Sequence, residues 1–347
     1  MYEFLQKHLN LPGDPSEEPV KLLSAADLRV TQTGQVLSSL GGKTISDVIQ
    51  EQSADQLLSL EQSRQHPARH IRQAVDAARR LSGFQTPNTT KQPVFTGRYQ
   101  RDSYVVKKYF IDNGNYPIPF LLLKPDGKGS FPVVLYLHPS GKSAAAVPGG
   151  EMEWFVHQGA AVIAPDLIGT GELGPGYSGG EITDLSIPHA IWFAPIQVNK
   201  SIPGIRAAEI MRVLEFIRSR PDLDAGHISG VARGSAGAAL LYAAVFDQSI
   251  GKIALIQSPL SYESMVTNQF YDLSYALGTV SGALTAYDLQ DLEAGLAPLS
   301  LLLVNATDQA GEIIPSEFMT KQTAFIRDAY QRAGQPDKFT IKTPGVF

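Results

Sequence analysis

Asp224-Ala-Gly-His-Ile-Ser-Gly-Val-Ala-Arg-Gly-Ser-Ala-Gly-Ala-Ala-Leu-Leu-Tyr-Ala-Ala244 decides how the rest of this chain is read. His227 to Ala232 has the length and apolar content of a short buried strand. Arg233-Gly234-Ser235 follows as a sharp turn, and Ala236 to Phe246 as a helix. Gly237, Ala238, Ala239, Ala243 and Ala244 have almost no side chain, so this helix can lie close on a sheet. Strand, tight turn and close-packed helix predict an α/β protein with its chemistry at the strand's carboxyl end.

Working outward, the flanking segments repeat the pattern. Phe131-Pro-Val-Val-Leu-Tyr-Leu137 is a continuous apolar run, as a central strand covered on both faces requires, and it ends in His138-Pro-Ser-Gly-Lys142. A helix over Glu151 to Gln158 leads to a second buried strand, Ala160 to Ala164, which opens into the glycine-rich Pro165-Asp-Leu-Ile-Gly-Thr-Gly-Glu-Leu-Gly174. Residues 175–200 lack periodicity but carry Tyr177, Trp192 and Phe193, the pattern of a functional cover. A helix over Ile202 to Arg218 precedes the central stretch, with Ile210, Val213, Leu214 and Ile217 on one face. Beyond it come a strand at Ile253 to Gln257, an irregular insertion at 261–288 and a strand at Leu301 to Asn305. A helix near Ser316 to Gly334 and a strand at Lys338 to Lys342 complete the pattern. Upstream, Tyr104 to Ile111 and Ile118 to Leu123 flank Asp112-Asn-Gly-Asn and predict an antiparallel hairpin. The sum is a mostly parallel sheet wrapped by helices, occupying residues 98–347 with insertions at 175–200 and 261–288.

Residues 1–97 read as an N-terminal extension packed on that domain. Leu28 to Leu40 alternates around Thr33-Gly34 and predicts a pair of short strands. Two helices follow, one capped by Ser46 or Asp47, the other running from Pro67 to Gly83 with Ile71, Val75, Ala78 and Leu81 on its apolar face. His66 and His70 have the spacing of a metal pair but no third ligand, so a capping or surface role is expected for them. Thr86 to Gln92 reads as a linker.

With 43% hydrophobic and 18% charged residues, the 347-residue chain can bury a large core. A net charge of −5 weighs against nucleic acid and against an electrostatic membrane partner. No apolar run approaches the roughly 18 residues of a spanning helix. Cysteine is absent, which removes disulfides, thiolate metal sites and a Cys nucleophile. No metal or cofactor is expected. Met1 to Gly13 lacks the basic and apolar regions of a signal peptide.

His138-Pro-Ser-Gly, Asp166-Leu-Ile-Gly-Thr-Gly-Glu, the turn at Arg233-Gly234-Ser235 and Val304-Asn-Ala-Thr-Asp308 occur in an order that resembles the α/β-hydrolase superfamily. Within it, the N-terminal extension and the Asp166 loop are similar to acetyl-xylan-esterase-like carbohydrate esterases. The resemblance implies an α/β-hydrolase fold, hydrolysis of an acyl ester on a sugar by Ser, His and Asp, an oxyanion hole of backbone amides, and a secreted or periplasmic location. Carried over, His138, Ser140 and Gly141 form the oxyanion loop, Asp308 stands at the acid's position, and Asp166 holds neighbouring amides.

The nucleophile position has two registers. Small outer residues Ala232 and Ala236 place Gly234 there; the alternative takes Ser235, with Arg233 and Gly237 outside. Sterics favour the first, because the strained elbow brings strand end and helix start almost into contact. The Asp-led approach usual in such hydrolases also favours it, since the nucleophile position counted from Asp224 falls on Gly234. The base is expected after the last strand, yet the histidines are His8, His66, His70, His138, His157, His189 and His227. Val346 stands near the base's place in Thr343-Pro-Gly-Val-Phe347. The favoured expectation is a domain that has lost catalysis and binds carbohydrate or a partner, beside a companion esterase domain in a longer chain. The alternative is an active carboxylic-ester hydrolase for acylated sugars, using Ser235 with His138 or His189. A purely structural interaction module ranks last, because it leaves the aromatic-rich insertions without a use.

Overall fold

The computed structural model describes residues 1–16, 19–88, 91–174 and 189–343. Tyr177, most of the first insertion and Val346 therefore lie outside the described residues. The chain divides into two compact units, Met1–Val48 and Ile49–Phe347. The first contains α1 (Tyr2–Leu9), α2 (Val36–Leu40) and the start of α3 (Ile45–Arg64).

The expected strand pair at Leu28 to Leu40 is absent. Its second half is α2, and the residues before it form turns. Hydroxyls decide this. Thr33 Oγ1 lies 2.7 Å from both Ser38 Oγ and Ser39 Oγ, and the Thr33 amide donates to Ser39 Oγ at 3.0 Å. Side chains thus satisfy locally what a strand would pair across a ladder. The cap of α3 is Thr44: its amide donates to Asp47 Oδ2 at 2.7 Å, while the Asp47 amide donates to Thr44 Oγ1 at 3.2 Å.

The second unit is built on a nine-stranded sheet. In chain order its strands are β1 (Val94–Gln100), β2 (Tyr104–Asp112), β3 (Pro117–Pro125), β4 (Phe131–Leu137), β5 (Ala161–Pro165), β6 (Leu223–Arg233), β7 (Ile250–Ile256), β8 (Ser300–Val304) and β9 (Phe339–Lys342). Their spatial order is β1-β2-β3-β5-β4-β6-β7-β8-β9. The β1–β2, β2–β3 and β3–β5 pairs are antiparallel; from β5 to β9 every pair is parallel. The helices are α4 (Pro67–Leu81), α5 (Glu151–His157), α6 (His189–Ile196), α7 (Ile202–Arg218), α8 (Gly237–Phe246), α9 (Glu263–Val266), α10 (Leu289–Ala294), α11 (Ser316–Gln322) and α12 (Ala324–Arg332).

The apolar run of β4 works as a central strand must. Val133, Leu135 and Leu137 join one core with α4, α7 and α8, while Val134 and Tyr136 join the other with Met152 and Val156 of α5. Residue β4 (131–137) and helix α7 (202–218) fall where the sequence puts them. The buried stripe of α4 differs from expectation: Ala74, Ala77, Ala78 and His70 are inside, with Ile71, Val75 and Leu81 half-buried. His70 is therefore a core histidine rather than a surface one, its Nδ1 2.9 Å from Ser63 Oγ and its Nε2 3.1 Å from Asp291 Oδ1. The single helix expected over Ser316 to Gly334 is two, broken at Thr323. There the hydroxyl donates to the Met319 carbonyl at 2.6 Å, a back-bond that bends helices. Among the described residues no helix is long and apolar enough to cross a membrane.

Candidate functional site

The topology locates the site before any side chain does. From β4 the chain steps to β5 on one side, then crosses back to β6 on the other. Strand order reverses at the carboxyl ends of β4 and β6, where open α/β sheets leave a crevice for ligands. His138 follows β4 there and Gly234 follows β6.

Gly234 has φ +50°, the left-handed region that an L side chain enters at a cost of roughly 1–2 kcal/mol. It joins β6 to a short 3₁₀ turn, Gly234–Ala236, that runs into α8. A Cβ placed on Gly234 would meet Pro139 Cγ at 3.8 Å and the Gln257 carbonyl at 4.0 Å. Position 234 thus faces the His138–Lys142 loop across ordinary contact distance, with room for a side chain. Ala232 and Ala236 on either side are buried. Ser235 is half-buried, and among the described residues its hydroxyl has no hydrogen-bond partner.

The Arg before the apex is accommodated by turning outward. Arg233 Nε donates to Glu151 Oε2 at 2.9 Å and its Nη2 pairs with Glu151 Oε1. The same carboxylate accepts the Tyr136 hydroxyl. Arg233 holds Glu151 below the usual carboxylate range, and burial with the Glu151 anion raises Tyr136. His138 lies beside this cluster; burial first, and the Arg233 charge second, lower its pKa. Its Nδ1 accepts the Ser140 amide at 3.1 Å, so this imidazole is neutral and occupied on one side.

The His138 loop is fixed by Asp166, which is fully buried. Asp166 Oδ1 accepts the Lys142 amide at 2.6 Å, Oδ2 accepts the Glu172 amide at 2.9 Å, and Lys142 Nζ pairs with both carboxylates. A Cβ on Gly141, at φ +89°, would sit 2.5 Å from Asp166 Oδ1 and 2.6 Å from Gly171 Cα. Only glycine lets the two loops close on the carboxylate.

Asp308 lies in the loop after β8, half-buried. Its Oδ1 accepts the amides of Ala310 at 2.8 Å and Glu312 at 3.0 Å, so the carboxylate shapes its own loop. Ser258 links that loop to the apex: its hydroxyl donates to the Gly234 carbonyl at 3.1 Å, and its own carbonyl accepts the Thr307 amide at 3.0 Å. His189 opens α6, with its side chain outside what is described. The 261–288 insertion is pinned rather than free: the Tyr242 hydroxyl lies 2.8 Å from that of Tyr287 and 3.2 Å from that of Tyr262, all buried. Trp192 Nε1 donates to Thr279 Oγ1 at 3.2 Å and ties α6 to it.

The structure thus gathers Gly234, Ser235, His138, Ser140, Gly141 and Asp166 around one crevice. Glu151, Tyr136 and Lys142 belong to the same assembly and escape a sequence reading. Their only local signal is that a charged Arg233 ends a buried strand and that Lys142 follows one within five residues, so both need counter-charges. Among the described residues no group of three His, Asp or Glu side chains is placed to hold a metal.

No protein-family model matches the chain, and no curated protein matches it in sequence. Solved structures do. A proposed acetyl xylan esterase from Bacteroides fragilis superposes with TM-score 0.66 at 18% identity, over 80% of this chain and 75% of that one. An acetyl xylan esterase from Paenibacillus sp. R4 gives TM-score 0.54 at 18% identity, over 79% and 87%. A glucuronoyl esterase from Solibacter usitatus gives 0.53 at 13%, over 79% and 86%. Sheet order, crevice and these superpositions agree: the chain has the α/β-hydrolase fold that acetyl xylan and glucuronoyl esterases share.

Proposed function

We propose that this is an esterase-like α/β-hydrolase domain that binds its ligand without hydrolysing it. Gly234 carries the reading. It occupies the left-handed apex between β6 and α8, facing the His138–Lys142 loop, and offers hydrogen where acyl transfer needs a nucleophilic oxygen. Among the described residues the neighbouring Ser235 hydroxyl has no imidazole partner, and the imidazole of His138 is engaged by the Ser140 amide. What is kept is a binding frame: a loop of amides locked by Asp166 and a rim formed by the Arg233–Glu151 pair. An acylated sugar is the ligand class the fold's neighbours suggest, and a companion esterase domain in a longer chain is the alternative partner.

Hydrolysis of p-nitrophenyl acetate tests the reading. The purified protein is expected to match a heat-denatured control. Saturable turnover abolished by Ser235→Ala would instead establish an active carboxylic-ester hydrolase with Ser235 as nucleophile and His138 or His189 as base.

A further inference from the structure

Away from the crevice, an open groove of about 880 Å³ runs between the end of α3, the 261–268 segment, and α11 with α12. None of its lining belongs to the Gly234 turn or the His138 loop. Its volume lies within the roughly 300–1,000 Å³ usual for small-molecule sites. Its walls combine charges, amides and rings, with Glu61, Arg64, Glu263 and Lys321 supplying the charges. Gln65, Gln290, Gln309 and Gln322 bring side-chain amides from four separate segments, and Phe318 and Phe325 bring two rings.

Gln290 is the informative residue. It is only 8% exposed, yet among the described residues its amide has no hydrogen-bond partner. It lines the groove floor, so the amide's unmet donors and acceptor open onto the groove. Water can meet that amide in the free protein, and a ligand hydroxyl can take the water's place. Beside it, the charge of Arg64 is already answered. Its Nε donates to Asp291 Oδ1 at 2.7 Å and its Nη2 to Asp291 Oδ2 at 3.1 Å. The Arg64 guanidinium in turn lies 5.5 Å from the centre of the Phe325 ring and holds that ring in place. Phe318, 55% exposed, lines the groove from α11. The lining's formal charges, Glu61 and Glu263 against Arg64 and Lys321, cancel, so no net positive charge draws an anion. Amides match hydroxyls in both donor and acceptor sense, and apolar rings match the C–H faces of a pyranose.

We propose that this groove is a binding site for a neutral polysaccharide chain, separate from the esterase-like crevice. Its ligand class comes from the groove's own side chains and does not depend on whether position 234 can hydrolyse anything.

Affinity gel electrophoresis of the whole protein through soluble arabinoxylan, glucomannan, mixed-linkage β-glucan and homogalacturonan decides it. At least one neutral polymer is expected to retard the wild type. Gln290→Leu and Phe318→Ala, each checked for an unchanged melting temperature, should weaken that retardation about tenfold, the loss of roughly 1.4 kcal/mol. Phe318 is exposed, so its variant folds even if Gln290→Leu does not. No retardation by a neutral polymer, retardation by homogalacturonan alone, or full retardation of both variants would overturn the assignment. Loss in Gly234→Ser with both groove variants intact would place the sugar in the crevice and overturn it as well, while leaving the non-hydrolytic reading standing.

Discussion

At the residue scale, two glycines with positive φ do different work, and substitution separates them. A Cβ on Gly234 would meet its neighbours only at ordinary contact distance, so Gly234→Ser is expected to fold and to lose about 1–2 kcal/mol, the strain of a left-handed L residue. Gly141 faces the Asp166 carboxylate and the Gly171 backbone at under 3 Å. Gly141→Ala must push the two loops apart and expose a buried carboxylate to partial loss of its donors, and is expected to cost about 3 kcal/mol or more. Thermal melts of the two variants check the contrast; equal losses would mean that the His138 loop is not anchored through Asp166. Gly234 as a turn residue was legible from the small residues around it. The reason Gly141 must be glycine was not, because its neighbour Gly171 lies 30 positions further along the chain.

At the element scale, α7 buries Arg206 and Glu209 on a face that sequence periodicity marks only by its aliphatic residues. Glu209 accepts the Tyr116 hydroxyl at 2.6 Å and the Ile168 amide at 3.0 Å, while Arg206 Nε donates to the Ile168 carbonyl at 3.0 Å. Burial pushes the Glu209 carboxyl up to about 7 and lowers Arg206 to about 10. An unfolded glutamate titrates near 4.3. Between that value and about 7 the folded chain holds a proton that the unfolded chain has released, so this group's contribution to stability falls as pH rises through that window. Unfolding free energies from urea melts at pH 5 and pH 8 should show a pH dependence that differs between the wild type and Glu209→Gln by an amount of order 1–3 kcal/mol, with the variant relatively better at pH 8. A pH-independent difference would show that Glu209 is ionised throughout. The α7 helix was legible from the spacing of Ile210, Val213, Leu214 and Ile217, and the structure adds its cap, where the Ser201 hydroxyl accepts the Gly204 amide at 3.2 Å. The break between α11 and α12 was not, since a threonine back-bond leaves no mark in periodicity.

At the scale of the whole molecule, Asp291 gathers groups from distant parts of the chain. Arg64 of α3 and His70 of α4 both reach its fully buried carboxylate on α10, more than 200 residues on. Removing the guanidinium takes the permanent counter-charge from a buried carboxylate, leaving it the His70 ring and the Asp288 amide, so Arg64→Ala is expected to destabilise the unit by about 3 kcal/mol. Arg64→Lys should recover part of that, because it keeps the charge and loses the two-pronged geometry. A denaturant melt that leaves Arg64→Ala within error of wild type would mean that the Arg64–Asp291 pair contributes nothing to this unit's stability. The sequence by itself determined the strand–helix alternation, the apolar runs of the parallel strands and the glycine turn after β6. These follow from local periodicity and from backbone rules that act over a few residues. Only the tertiary structure decided which charges are paired, which glycines are sterically forced, and that a groove lined by amides, charges and two rings lies outside the crevice. Those depend on groups hundreds of residues apart meeting across packed elements, where burial rather than residue type sets the energy.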